Sequence, residues 1–543
     1  MYAQISDFDD TRYTMNLDDL ISGMDVQCVK GGPDLSTIRI CDLTEDSRTA
    51  VPGSLFIARS GTRVNGNRYI EPAIQCGCVA VLTDQADLQI ADHSQLPNRS
   101  KVVVLYSQDV KAAAAQIAER FYGNPSQSLV TIGVTGTNGK STIVEFVHQL
   151  IQSAGIRCGL IGTVEIDDGC ERVRAMMTTP PAVELSRTLA TMVEHGCKAV
   201  AMEVSSHAMD QSRVDAVRFD GCAFTNLTGD HLDYHQTFEH YQHSKSRLFR
   251  LLKPDGLAAI NTQDDASETM IAACTTGATV CGCTSDMVRV SDESIDGMTL
   301  EIDTPIGQVC GRVPIFGAFN AMNILQAVLL AMHTMDRFGH TRSEQLKGVS
   351  DALPMLTLPA GRFERVDSSE DDLRVMVDFA HTDDALSSAL SAVRNVLNDG
   401  SKIWCVFGCG GNRDSTKRSR MGMVASTIAD SVVVTSDNPR TELPSKIIDE
   451  ILMGIDAELR TQTPSVIHVQ SDRGQAIAFA IANAGRNDVV LIAGKGHETE
   501  QISPDGQGGT RSVHFDDREH ARKALRERRL RNEHRTDPRM GSI

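Results

Sequence analysis

The residues best suited to chemistry lie in Gly133-Val-Thr-Gly136-Thr137-Asn138-Gly139-Lys140-Ser141-Thr142, after an apolar run from 129 and before a helix-like stretch at 143–153. A strand, a glycine turn and Lys-Ser at a helix start are what phosphate binding needs. The glycines let backbone N–H groups approach phosphate oxygens, and the helix N-terminus adds a favourable dipole. Lys140 would neutralise β/γ oxygens, and the Ser141 hydroxyl would reach Mg²⁺. The spacing departs from G-x4-G-K-[ST], because Val134 stands where the first glycine would be. Glu203 ends a second apolar run that starts near 198, a place from which a carboxylate can hold Mg²⁺. Asp230-His231 and His240-Tyr-Gln-His-Ser-Lys245 follow, the latter on an expected helix. Without H-E-x2-H, hard phosphate-linked ions suit this set better than zinc.

Positioning such groups takes layered strands and helices. Apolar strand-like runs alternate with helix-like stretches almost throughout, the pattern of α/β layers. The length of 543 residues and the 41% apolar content exclude wholesale disorder, and about three or four domains of roughly 150 residues are expected. Gly-Asn-Pro at 123–125 breaks a helix, and two prolines and a glycine within 353–361 mark a second break. We therefore expect three domains: a small α/β domain at 1–125, a central P-loop domain with a mostly parallel sheet at 126–357, and a Rossmann-like α/β domain at 358–543. Strands are expected at 54–59 and 78–83 in the first, and at 373–379, 403–407, 431–435 and 489–493 in the third.

The net charge of −18 is the opposite of a nucleic-acid binder's balance. No apolar run approaches the ~18 residues that span a bilayer, and the acidic start lacks the order of an export signal. A cytoplasmic monomer without nucleic-acid or membrane partners is expected. The 14 cysteines are scattered and never spaced C-x2-C, so they are expected to be small buried hydrophobes. The tail at 518–539 has nine Lys/Arg against four Asp/Glu, which reads as a solvated helix with a frayed end.

Taken in order, the motifs resemble the Mur ligases, ATP-dependent amide-forming enzymes of bacterial peptidoglycan synthesis. They are T-G-T-N-G-K-S at 135–141, T-T-P at 178–180, M-E-V-S-S-H at 202–207, T-N-L-x-x-D-H-L-D-Y-H at 225–235 and H-Y-x-x-x-K at 240–245. The series continues with G-A-F-N-A-M-N at 317–323, G-R-F-E at 361–364, V-D-F-A-H-T at 377–382, F-G-C-G-G-N-R-D at 407–414, D-N-P-R at 437–440 and G-K-G-H-E at 494–498. The last ~20 residues lie outside it.

The resemblance implies transfer of the ATP γ-phosphate to a substrate carboxylate, then attack of an amine on the acyl phosphate. It implies a nucleotide site of Gly136, Thr137, Asn138, Gly139, Lys140, Ser141, Thr142, Asn320, Arg362 and Asp378, with His381 nearby. It implies Mg²⁺ on Ser141, Glu203, His231 and Lys245, the lysine carrying a CO₂-derived carbamate that makes it an oxygen-donor anion. For UDP-N-acetylmuramoyl-L-alanyl-D-glutamate the matching positions are Ser47, with Asp46 and Thr62-Arg63-Val64 beside it, and Thr178, Thr179, Ser205, Gln211 and Arg213; Met177 stands where some relatives carry Asn. The amino acid would meet Arg413, Asp437, Asn438, Pro439, Arg440, Gly494 and Glu498. Two guanidiniums and a carboxylate suit meso-diaminopimelate, whose second carboxylate lysine lacks. The alternatives are a lysine-adding relative and a folylpolyglutamate synthase-like ligase.

Overall fold

The computed structural model describes residues 13–29, 34–61, 65–88, 102–455 and 466–536, so Thr62, Arg63 and Val64 lie outside the described residues. Three sheets organise a mixed α/β chain. The first runs Gln27–Cys28, Val103–Tyr106, Ala80–Thr83, Ser54–Ala58, Asp42–Thr44; the last four strands are parallel. Leu43, Leu55, Ile57, Leu82 and Leu105 form its core with the helix Val110–Phe121.

The second sheet has eight strands in the order Arg172–Arg174, Glu165–Asp167, Cys158–Ile161, Ala199–Glu203, Val130–Thr135, Phe219–Phe224, Leu252–Asn261, Thr279–Cys283. The first two form an antiparallel hairpin on an otherwise parallel sheet. Val130–Thr135 is buried along most of its length because helices cover both faces. On one side the helix Lys140–Ser153 turns Ile143, Phe146, Val147 and Leu150 onto Ala318–Arg337. Register then does the positioning. Glu203 pairs with Val134 and Phe224 with Thr135, so the phosphate loop, Glu203 and the 225–231 loop leave the sheet side by side.

The third sheet runs Glu364–Arg365, Arg374–Asp378, Val489–Ala493, Ile403–Phe407, Ser431–Val434, Val466–Val469. Ala493 pairs with Asp378 and Phe407, and Phe407 with Val434. The four loops that follow therefore open at one edge, the usual ligand crevice of such a sheet.

The expected strands are present in both outer sheets. Elements beyond the expected ones include an antiparallel meander (Val288–Ser294, Gly297–Thr304, Gly307–Val313), the edge strand Val466–Val469, and a hairpin of Glu500–Pro504 with Thr510–His514. Their outward faces are polar or exposed, so no apolar run marks them. The expectation of a merely solvated basic tail is corrected. Helix Asp517–Thr536 buries Ala521, Ala524 and Leu525. Arg528 donates to Asp372 Oδ1 (2.7 Å) and to the Ile481 and Ala484 carbonyls, so the arginines are partly structural.

The helix is anchored by a fully buried ion pair in which Arg473 Nε and Nη2 reach Asp517 at 2.7 and 2.6 Å. Asp517→Ala leaves a buried guanidinium half-paired and is expected to cost about 3–5 kcal/mol in urea unfolding. A loss below about 1 kcal/mol would show that the helix is held by its apolar face alone.

Candidate active site

The phosphate loop is braced from the neighbouring strand. Thr225 Oγ1 donates to the Asn138 carbonyl (2.6 Å), Thr137 N to the Asn226 carbonyl (2.8 Å), and Asn138 N to Asn226 Oδ1 (2.9 Å). Gly136 has φ 149°, and a Cβ there would fall 1.7 Å from Thr225 Oγ1, so only glycine fits. Ser141 and Thr142 lie in the first turn of the helix, where backbone N–H groups lack intrahelical partners.

Two lysines converge on one carbonyl. Lys140 Nζ donates to Gly136 O at 3.0 Å and to Thr137 O at 2.9 Å, while Lys245 Nζ donates to the same Gly136 O at 2.7 Å. Lys245 is 1% exposed and lies 4.4 Å from the Tyr241 ring centroid. Burial first, and then Lys140, push its ammonium well below the ordinary lysine value against the pull of Asp230. Lys140 is lowered too, by burial and Arg362, with Glu203 and Asp230 opposing.

Glu203 is buried, its oxygens accepting from Thr163 N (2.6 Å) and Thr163 Oγ1 (3.0 Å). Thr163 Oγ1 also lies 3.1 Å from Thr178 Oγ1, and Thr179 Oγ1 donates to the Glu203 carbonyl (2.9 Å). Asp230 is 3.5 Å from His231 Nε2 and 3.7 Å from His381 Nε2 of the third sheet. Burial would raise the Asp230 carboxyl, yet His381, His231 and Lys417 hold it well below the carboxylate range. His231 sits at φ 58°; desolvation, His207 and the two lysines lower its pKa to about 3 despite Asp230.

Arg362 reaches across from the third sheet's side. Its Nη2 lies 3.3 Å from Ser141 Oγ, and its guanidinium lies 4.5 Å over the Phe379 ring. Asp378 is turned inward by the Phe363 and Ala380 N–H groups (2.8 Å each), and burial raises its carboxyl against Arg362. Asn320 Nδ2 donates to the Phe316 carbonyl (2.8 Å) inside the helix Ala318–Arg337, and Asn323 Oδ1 lies against Gly139.

Near this cleft Arg213 donates to the Thr179 carbonyl (2.5 Å) and to Gln211 Oε1 (2.9 Å), and touches Met177 Sδ at 3.5 Å. Ser205 caps the helix Ser206–Asp210 through Ala208 N. Ser47 is buried in the first unit, one residue from Asp46, which binds Arg48. Two residues away Glu45 is raised by burial, opposed by Arg59 at 3.1 Å and by Arg213. Glu45 and Arg59 thus join this face although no motif signalled them.

The third group also converges. Asn438 Nδ2 donates to Glu498 Oε2 (2.6 Å), a Cβ on Gly494 would meet Asp437 Oδ2 at 2.7 Å, and one on Gly410 would lie 3.0 Å from Arg440 Nη1 and 3.9 Å from Arg413. Arg440 has φ 54° and donates to the Gly411 carbonyl (2.7 Å); its backbone N–H binds the Ile502 carbonyl of the hairpin (3.0 Å). Arg413 and Asp437 reinforce and oppose, respectively, the lowering that burial imposes on Arg440. Arg418 underpins these loops, fully buried and bonded to Glu442, Glu450 and the Gly410 carbonyl.

One His/Cys/Asp cluster among the described residues, Asp168, Cys170 and His195, brings candidate ligand atoms within 4.8 Å. Asp168 Oδ1 is already used by the Cys170 and Glu171 N–H groups of a tight turn.

A phosphate loop, a carboxylate beside it and a separate charged crevice describe a nucleotide-dependent ligase. Family comparison gives the class. Residues 40–122 match the Mur ligase family catalytic domain, 134–331 the Mur ligase middle domain, and 361–496 the Mur ligase glutamate ligase domain. The UDP-N-acetylmuramoyl-L-alanyl-D-glutamate–2,6-diaminopimelate ligase of Synechococcus elongatus is 40% identical over 523 residues, 95% of this chain and 99% of that one. That of Chlorobaculum tepidum is 36% identical, over 93% and 96%. A solved structure of such a ligase superposes with TM-score 0.63 at 28% identity, over 95% and 99% of the chains. The fold is shared with the MurF ligase of Thermotoga maritima in complex with ADP (TM-score 0.58, 16% identity, 90% and 98%). The chain belongs to the Mur ligase family and is an ATP-dependent ligase.

Glu442 supplies a pH test of the crevice. Hydrogen bonds from Arg418, then from Asn412 N, hold its pKa near about 2 against an ordinary 4.5. A lowered folded pKa stabilises fully above the unfolded value and is lost as pH falls through the folded one. Glu442→Gln is expected to lose roughly 1–2 kcal/mol at pH 7, solvent screening included, with the difference shrinking between pH ~4.5 and ~2. A pH-independent difference in urea unfolding would assign the effect to packing.

Proposed function

We propose that the chain joins meso-diaminopimelate to the D-glutamate of UDP-N-acetylmuramoyl-L-alanyl-D-glutamate with ATP, through an acyl phosphate, in peptidoglycan biosynthesis. The observation carrying this reading is the convergence of Arg413, Asp437–Arg440 and Glu498 at the strand ends of a third sheet, whose Arg362 also touches the phosphate loop. The activity for which relatives aligned over nearly the whole chain are named supports it. The division at 125/126 and 357/358 into sugar-nucleotide, nucleotide and amino-acid domains belongs to the same proposal.

ATP lies along Gly136–Thr142, with backbone N–H groups and Lys140 against its phosphates, Asn320 at the adenine, and Arg362 and Asp378 near the ribose and phosphates. Ser141, Glu203, His231 and Lys245 would hold Mg²⁺, which supplies charge neutralisation for phosphoryl transfer. The donor set fits once Lys245 is acylated by CO₂. Its burial beside Lys140 favours the neutral, nucleophilic amine, and the resulting carbamate relieves the ammonium–ammonium repulsion on Gly136 O. Thr178, Thr179, Ser205, Gln211, Arg213 and Ser47 hold the sugar nucleotide and aim its carboxylate at the γ-phosphate.

Phosphoryl transfer to that carboxylate creates a leaving group better than hydroxide. Arg362 and His381, approaching from the third sheet, bring the amino-acid crevice over the phosphate loop and exclude water that would hydrolyse the acyl phosphate. Glu498 receives the ammonium, and Arg440 with Arg413 the far carboxylate.

Phosphate release from ATP with UDP-N-acetylmuramoyl-L-alanyl-D-glutamate is the direct test. Release is expected with diaminopimelate and is expected to be ~10²–10⁴-fold less efficient with lysine, whose end leaves the guanidiniums unpaired. Equal efficiency with lysine would remove the specificity; release with a folate and glutamate instead would remove the assignment.

A further inference from the structure

Lys495 is 0% exposed, deep between the loops that carry Asp437–Arg440 and Glu498. A buried ammonium must be fully paired, and its three donors have three acceptors: Asn438 Oδ1 (3.2 Å), Glu498 Oε2 (3.1 Å) and the Glu500 carbonyl (2.6 Å). Asn438 Oδ1 also takes Ile502 N (2.9 Å), and Asn438 Nδ2 donates to Glu498 Oε2 (2.6 Å). The Asn438 oxygen is thus consumed inside the protein, as is Glu498 Oε2. Among the described residues Glu498 Oε1 takes no protein hydrogen bond.

We infer that Lys495 is a specificity-positioning residue, one that turns Glu498 so that Oε1 alone meets the amino acid's ammonium and locks Asn438 so that Arg440 faces its far carboxylate. The inference rests on the amino-acid reading above and deepens it. Geometry is half of the effect. Charge is the other half: Arg413 and Arg440 lie with Asp437 and Glu498, and the Lys495 ammonium adds a further positive charge against Glu498. Such a crevice favours an end bearing both ammonium and carboxylate over the bare ammonium of lysine. Without the Lys495 ammonium one positive charge is lost and Glu498 Oε2 keeps only its bond from Asn438 Nδ2.

The test is steady-state kinetics of full-length Lys495→Gln and Lys495→Arg, varying diaminopimelate, lysine and ATP separately. For Lys495→Gln the KM for diaminopimelate is expected to rise about tenfold or more, with kcat and the ATP KM within about threefold. The preference for diaminopimelate over lysine in kcat/KM is expected to narrow about tenfold. Lys495→Arg keeps the charge, so it should retain the preference while raising KM by a smaller factor. A fall in kcat with an unmoved KM, a matching rise in the ATP KM, or an unchanged preference would overturn the inference. Should Lys495→Gln not fold, Lys495→Arg decides, since an unchanged KM for diaminopimelate there would overturn it as well. A wild-type enzyme using neither amino acid would instead defeat the functional reading itself.

Discussion

Two ammonium groups share the Gly136 carbonyl, with a guanidinium a hydrogen bond away on Ser141. In a chain of net charge −18 this concentration of Lys140, Lys245 and Arg362 is a local inversion. Its cost is visible in the lowered pKa of all three groups, for each of which burial is the first cause. Under the proposed function the relief is anionic: phosphates on the loop, a carbamate on Lys245, and a substrate carboxylate between them. The rest of the architecture delivers those anions to one place.

Delivery depends on strand register. In the central sheet the loops after Val134, Glu203 and Phe224 emerge together because those residues are paired. In the third sheet Asp378, Ala493, Phe407 and Val434 do the same for the proposed amino-acid crevice. Arg362 to Ser141, His381 to Asp230, and Arg174 to Thr499 then join the two sets of loops. A one-residue slip in any of these strands would turn the functional side chain to the opposite face.

Much of this was legible in the sequence, because buried parallel strands read as apolar runs and phosphate loops need glycine where only glycine fits. Gly136 is the clearest case, since Thr225 leaves no room for a side chain. What escaped notice were supports with ordinary surface signatures. Arg418 and Arg473 are buried cations that resemble exposed ones until their carboxylate partners, Glu442 and Asp517, are brought from 24 and 44 residues away. The hairpin at 500–514 has exposed polar faces, yet its Ile502 pins both Asn438 and Arg440. The tail likewise read as solvated because its few buried residues, Ala521, Ala524 and Leu525, are small or sparse among arginines.

The central claim is that these groups activate a carboxylate before the amide forms. It is tested most directly with ¹⁸O in the side-chain carboxylate of the D-glutamate, following the label by mass spectrometry through one round of synthesis. An acyl phosphate requires one carboxylate oxygen to leave with the phosphate, so each amide formed should be matched by one ¹⁸O in inorganic phosphate and one in the new amide carbonyl. Amide formation with unlabelled phosphate would contradict the account.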